Sequence, residues 1–282
     1  MLGPGLIGGS LGLALRERNP TANIRTWARS SVSCEDVERR GFADIVSTDL
    51  SDVVRNTELI VLCVPVECMR GLAEGLVAHA PPEAVVTDAG SVKTSVVSDL
   101  ESVLGPRFIG AHPIAGSEQS GLPAARADLF DSATCVITPT RSSDPRALTV
   151  ATAFWQSVGC RTMELSPEDH DAALARTSHL PHLVASALVA AATSRGLDLT
   201  SLAGSGFRDS TRISQGNPDL WTGILAANRS AVASSVAELR EILQNVQDML
   251  TNGDDESLRQ FLQSAADARR AVPTPSTHAV QG

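Results

Sequence analysis

The glycine run that opens the chain, MLGPGLIGGSLGLAL, restricts the fold more than any other feature. Gly3, Gly5 and Gly8 satisfy G-x-G-x-x-G, the turn in which a strand passes into a helix beneath a dinucleotide pyrophosphate. In that pattern Gly3 allows the tight turn, Gly5 lets the phosphates approach the backbone, and Gly8 lets the helix pack closely. Leu6 and Ile7 open the helix, whose free amides and positive end would face the phosphates. The fingerprint needs a strand ahead of it, and only Met1 and Leu2 precede Gly3. In a doubly wound sheet that strand is central, and its loss would open two interior edges. An apolar strand of ~5–6 residues ahead of Leu2 is therefore expected in the natural chain.

Downstream, strand and helix signals alternate. Asn23 to Ala28 reads as a short strand, Cys34 to Arg40 as a helix, and "TELIVLCVP" as a strand buried on both faces and stopped by Pro65. A helix over Met69 to His79 follows, then the strand-bearing stretches "EAVVTDAGSVKT", "RFIGAHPIAG" and "SATCVITPT". This rhythm predicts an α/β fold with a doubly wound, mostly parallel Rossmann-type sheet, its first strand truncated. After "CRTMEL" the pattern turns helical and rich in alanine. We therefore expect a dinucleotide-binding domain over 1–165, an all-helical substrate and dimerisation domain over 166–270, and a disordered tail over 271–282. The apolar face of "AVASSVAELREILQNVQDML" suits a homodimer seam.

Composition excludes several classes. A hydrophobic fraction of 43% is enough for a real core. No apolar run approaches the ~20 residues of a membrane span, and the start lacks the features of a signal peptide. A cytoplasmic protein is expected. The formal charge of −9 argues against a nucleic-acid partner; an anionic small-molecule substrate would need a local cluster of arginines. Five scattered cysteines, without C-x-x-C or zinc spacing, read as free thiols and give no metal site. Among 23 basic side chains Lys93 is the only lysine, which suggests that a guanidinium cannot replace its ammonium there.

Candidate chemistry collects at strand ends. Val64 and Pro65 close the "LCVP" strand beside the glycine loop. After the strand near Trp27, where an NAD site usually has an acid, the chain has Arg29, Ser30 and Ser31. These favour the 2′-phosphate of NADP over NAD, which stays open. His112, in the turn "GAHPIAG", can act as a general base near neutral pH, with Ser91 of "DAGSVKT" orienting it or bonding the same substrate hydroxyl. Arg208 and Arg212 lie four apart, where one helical face would carry both, and a guanidinium facing the cleft would bind a carboxylate. His79, His170 and His278 are assigned no role.

Together these motifs resemble the prephenate/arogenate dehydrogenase family of tyrosine biosynthesis. "GLIGGSLGLAL", "DAGSVK", "GAHPIAGSEQSG", "SHLPH" and "GFRDSTRISQGNPDLW" stand in that family's order, between Met1 and Leu250. The resemblance implies NAD(P)-dependent oxidative decarboxylation of prephenate to 4-hydroxyphenylpyruvate, or of arogenate to tyrosine. It implies that His112 takes the proton of the ring hydroxyl and that Ser91 assists. It also implies that Arg212 binds a substrate carboxylate, that His179 lines the substrate pocket, and that Lys93 supports the turn or the substrate's charge. It further implies a homodimer built on the helical half. An N-terminally truncated, inactive paralogue is the third reading, because of the short start.

Overall fold

The computed structural model describes residues 1–116, 119–194 and 202–272. Ser117 and Glu118 of the "HPIAGSE" motif lie outside this set, as does the expected tail from 273 onward. The elements run α1 (Leu6–Arg18), β1 (Arg25–Trp27), α2 (Ser31–Arg40), β2 (Ile45–Ser47), α3 (Leu50–Val54), β3 (Leu59–Leu62), α4 (Val66–His79), β4 (Val85–Asp88) and α5 (Thr94–Leu104). They continue with β5 (Phe108–Pro113), β6 (Thr134–Thr138), α6 (Pro145–Ser157), β7 (Arg161–Glu164), α7 (Pro167–Leu174), a π-helical turn (Ala175–His179) and α8 (Leu180–Thr193). The last are α9 (Ser205–Thr211), α10 (Pro218–Ala227), α11 (Arg229–Asn252) and α12 (Asp255–Ala271).

The place of the strand expected ahead of the glycine loop is held by Met1, Leu2 and Gly3. Leu2 bridges Trp27 on one side and Leu62 on the other, both in parallel. Leu2 N donates to Val61 O (2.9 Å) and Cys63 N donates to Leu2 O (2.8 Å). On the other side Trp27 N donates to Met1 O (2.9 Å) and Gly3 N to Trp27 O (3.1 Å). Leu2 is fully buried, and burying a leucine contributes roughly 1.5–3 kcal/mol. A groove of about 540 Å³ is lined by Met1, by Asn23, Ile24 and Arg25, and by Glu58, Leu59 and Val61.

Leu2 thus joins the pair β1–β2 to the five-stranded order β3-β4-β5-β6-β7. On one side of it the chain winds outward through β1 and β2. On the other it winds through β3, β4 and β5, so the strand order reverses at Leu2, where doubly wound sheets bind ligands. Pairing is parallel except between β5 and β6. Among the described residues, the link from β5 to β6 has only the short 3-10 turn Leu122–Ala124 and no crossover helix, so β6 returns antiparallel.

Cores form on both faces of this sheet. Leu62, Met69, Leu76, Val86 and Phe108 pack on one, and Leu11, Ile109, Phe130, Ile137 and Trp155 on the other. From α7 onward the described chain is helical, as the alanine-rich pattern predicts. Two compact units result, one from Met1 to Val232 and one from Ala233 onward. The first continues past residue 165 because α7 is fastened to the sheet's end through Asp171, described below. In the second, Ile242, Leu243, Leu250 and Leu262 are exposed along α11 and α12. No described helix is long and apolar enough to cross a membrane. All five cysteines are free thiols, Cys135 and Cys160 buried and Cys68 exposed.

Candidate active site

The glycine loop has the geometry that its spacing requires. Gly3 has φ +101°, and a Cβ there would meet Cys63 O and Val64 Cγ1 at 2.8 Å. A Cβ at Gly8 would run into Gly3 O, so only glycine lets α1 start this close to the loop. Gly5, the residue capping α1, is the contrast: a Cβ there would meet nothing within 4 Å. The first α1 hydrogen bond comes from Gly9 N to Gly5 O (2.8 Å), which leaves the amides of Leu6, Ile7 and Gly8 without helical partners. No side chain caps them. Open space over uncapped amides at a helix start fits a pyrophosphate.

Neighbouring strand ends complete this rim. Val64 touches Gly3's position and leads into the exposed Pro65, which starts α4. Beneath the loop, burial pushes the Cys63 thiol up to about 12, so it packs rather than reacts. At the end of β1, Arg29 and Ser30 are exposed. Ser30 Oγ caps α2 by accepting from Ser33 N (3.3 Å), and the first turn of α2 has no acidic residue.

The "DAGSVKT" turn is pinned to β5 by a buried ion pair. Asp88 and Lys93 are both fully buried and in contact through Oδ2 and Nζ. Asp88 also accepts from Ala111 N (2.9 Å) and Gly90 N (2.8 Å), and Lys93 Nζ donates to Ala111 O (2.9 Å). Ala111 precedes His112, so this pair holds the end of β4, and the half-buried Ser91 beyond it, against the histidine's strand. Of the two roles expected for Lys93, support of the turn is the one its geometry carries; its ammonium is enclosed by protein. The enclosed ammonium, held by Asp88 and Ala111 O, fits a lysine at this one position.

His112 is 8% exposed and sits among groups that sequence reasoning left aside. Its Nδ1 lies 2.8 Å from His170 Nε2. His170 Nδ1 lies 2.8 Å from Asp171 Oδ1. Asp171 accepts from Lys93 N (2.7 Å) and Thr94 N (2.9 Å), the amides that open α5. Burial works against the Asp171 carboxylate, but His170 and these amides outweigh it and hold its pKa below the ordinary value. Burial first, then His170, Lys93 and His179, pushes His112 well below the usual imidazole range. His112 is therefore neutral at pH 7 and able to accept a proton.

Asn228, just after α10, links the same knot to the pocket wall. Its Nδ2 donates to Asp171 O (2.8 Å) and to His179 Nδ1 (3.2 Å). His179 Nδ1 is thus an acceptor, so neutral His179 keeps its proton on Nε2 as a donor. Burial lowers the His179 pKa to about 4. Trp221 stands edge-on to His179 and stacks on His182 with ring centroids 3.7 Å apart. A Cβ at Gly216 would strike the Trp221 indole, which explains why glycine precedes "NPDLW". Arg212 is exposed at the start of the 3-10 turn Arg212–Gln215, while Arg208 belongs to α9. One continuous helical face does not carry the two arginines, because the helix tightens between them.

The structure therefore gathers Gly3 to Gly8 with Val64, and joins the turn containing Ser91 and Lys93 to His112 and, through Asn228, to His179. His170, Asp171, Asp88 and Asn228 were missed. A His–Asp pair in the first helix after the last strand, and an aspartate five residues ahead of the lone lysine, were the available signals.

Comparison with known proteins places the chain among relatives along its length. The sequence model for the prephenate dehydrogenase nucleotide-binding domain matches residues 11–164, and that for the prephenate dehydrogenase dimerization domain matches 166–264. The chain is 32% identical to the prephenate dehydrogenase of Bacillus subtilis, over 97% of this chain and 75% of the relative. The crystal structure of Aquifex aeolicus prephenate dehydrogenase in complex with hydroxyphenyl propionate and NAD+ is similar with a TM-score of 0.91 and 31% identity, covering 96% of each chain. The Synechocystis arogenate dehydrogenase structure is similar with a TM-score of 0.83 and 33% identity, covering 95% of this chain and 97% of that one.

Proposed function

This chain belongs to the prephenate dehydrogenase family, and on that premise we propose that it catalyses NAD(P)-dependent oxidative decarboxylation of prephenate to 4-hydroxyphenylpyruvate. The observation that carries this reading is the buried His112 at the carboxyl end of β5, tied to the turn that contains Ser91. The nicotinamide, when bound, supplies the hydride acceptor for the carbinol carbon of the ring. His112 takes the hydroxyl proton through Nε2, since Nδ1 faces His170. Ser91 hydrogen-bonds the same hydroxyl. Arg212 binds a substrate carboxylate, and His179 lines the pocket with Nε2–H as a donor. Loss of the ring carboxylate as carbon dioxide makes the ring aromatic, so the step runs one way.

Residues 1–165 serve the cofactor and 166–270 the substrate and dimerisation. Gly3, Gly5, Leu6, Ile7 and Gly8 cradle the pyrophosphate, Val64 and Pro65 border it, and Arg29 with Ser30 favours NADP over NAD. The exposed apolar residues of α11 and α12 support a homodimer. Arogenate is the second reading, favoured by the likeness to the Synechocystis enzyme. Steady-state rates with both substrates and both cofactors separate these choices. His112→Asn is expected to abolish turnover while NADPH titration, followed by fluorescence, stays near the parent value. Normal turnover by that variant would sink the assigned base.

A further inference from the structure

Asp171, His170 and His112 form a continuous line of hydrogen bonds that ends at the start of α5. We propose that Asp171 and His170 are positioning residues that lock His112 as the Nδ1–H tautomer, leaving the Nε2 lone pair free for the substrate proton. This rests on His112 being the base.

The polarity of the line follows from its inner end. Both carboxylate oxygens of Asp171 accept from backbone amides, Oδ1 from Lys93 N and Oδ2 from Thr94 N. Asp171 is thus an acceptor towards His170 as well, and His170 Nδ1 must carry the hydrogen. In neutral His170 that leaves Nε2 as an acceptor, so the 2.8 Å contact requires a hydrogen on His112 Nδ1. The opposite polarity needs a second proton on His170, and so a whole imidazolium charge on a ring with no access to water. It would also put the hydrogen of His112 on Nε2 and occupy the lone pair that the reaction needs. The groups facing His112 are His170 from α7, Lys93 ahead of α5 and His179 from the π-helical turn.

When His112 takes the substrate proton on Nε2, its Nδ1–H turns from a neutral into a charge-assisted donor to His170. His170, backed by Asp171, thereby stabilises the imidazolium without touching the substrate. His170→Leu is expected to lower kcat by about 10²-fold, the scale of general-base assistance. KM for prephenate and the Kd for NADPH should stay within about threefold, because the ring touches neither. His170→Gln, whose Oε1 can accept from His112 Nδ1–H, should recover most of the rate.

Nitrogen-15 NMR of histidine-labelled protein reads the tautomer directly. A pyrrole-like Nδ1 and a pyridine-like Nε2 on His112 support the lock, and the reverse pattern overturns it. Full kcat in His170→Leu overturns it too. If His170→Leu is unstable, a stably folded His170→Gln with no recovered kcat is equally fatal. Turnover by His112→Asn would remove the base itself; with that variant dead and His170→Leu fully active, the base stands and the relay falls.

Discussion

The glycine loop and the histidine pocket are built on opposite principles. The loop works through backbone: φ +101° at Gly3, close packing at Gly8, open space at Gly5 and the uncapped amides of α1. The pocket works through side chains brought from β5, α7, the π-helical turn and the residue after α10, bonded in series. A backbone site tolerates nothing at a few positions and almost anything between them. A side-chain network spreads its tolerance unevenly, because each member sets the protonation of the next. The two should respond differently to substitution and to pH.

The largest effect is expected at the joint beneath the pocket. Lys93→Met leaves the Asp88 carboxylate buried without its counter-ion. Breaking one partner of a buried pair costs about 3–5 kcal/mol. Urea unfolding should show this loss, and Lys93→Arg should fare little better, since the site is fully enclosed. If Lys93→Arg unfolds like the parent, the account of the lone lysine is wrong.

Acid should act on the pocket mainly below pH 6.5, whereas the buried Met1 amino group ahead of the loop, lowered to about 6, costs stability between pH 8 and 6. His179 in the unfolded chain takes up a proton near the ordinary value of 6.5, whereas the folded protein resists until about 4. The unfolded state then binds more protons in that window, so stability falls as pH drops from 6.5 to 4 and levels off below. The loss approaches about 3 kcal/mol at the lower end, and His112 adds to it in the same direction. Urea midpoints from pH 8 to 4 should show a shallower slope in His179→Gln. Parallel slopes for that variant and the parent would put the acid sensitivity elsewhere.

These contrasts also explain what the sequence made legible. Gly3, Gly5 and Gly8 could be read because a backbone turn writes itself as spacing within one segment. Even there, the strand stub was unreadable: Leu2 is a single letter, and its two bridges depend on Trp27 and Leu62, far along the chain. His112 and Ser91 were readable as turn residues at strand ends. His170 was not, because its partners are 58 residues away at His112 and next door at Asp171, and neither contact has a period. The antiparallel β6 was hidden for a similar reason, since strand direction depends on the path of the preceding link rather than on the strand's own residues.

Back in the loop, Gly8→Ala should cost about 1–3 kcal/mol, the usual range for overpacking against atoms that cannot yield. The obstructing atom is the Gly3 carbonyl oxygen, and moving it disturbs the turn itself. NADPH affinity is expected to fall about tenfold or more alongside the drop in melting temperature. A variant with parent stability and parent affinity would show that helix and loop can separate freely.

Gly5→Ala is the smallest change and the sharpest test of the contrast. Its φ of −77° suits alanine, and the added methyl meets no protein atom within 4 Å. Exchanging glycine for alanine at a helix cap should cost roughly 0.5–1 kcal/mol, so thermal unfolding should move only slightly. The methyl nevertheless enters open space at the residue that caps α1, on the side where the proposed function seats the pyrophosphate. Cofactor affinity should therefore fall while stability holds, the reverse of Lys93→Met, where stability fails first. Unchanged NADPH binding in a stable Gly5→Ala would mean that the phosphates lie away from this glycine, and the loop's open side would need another explanation.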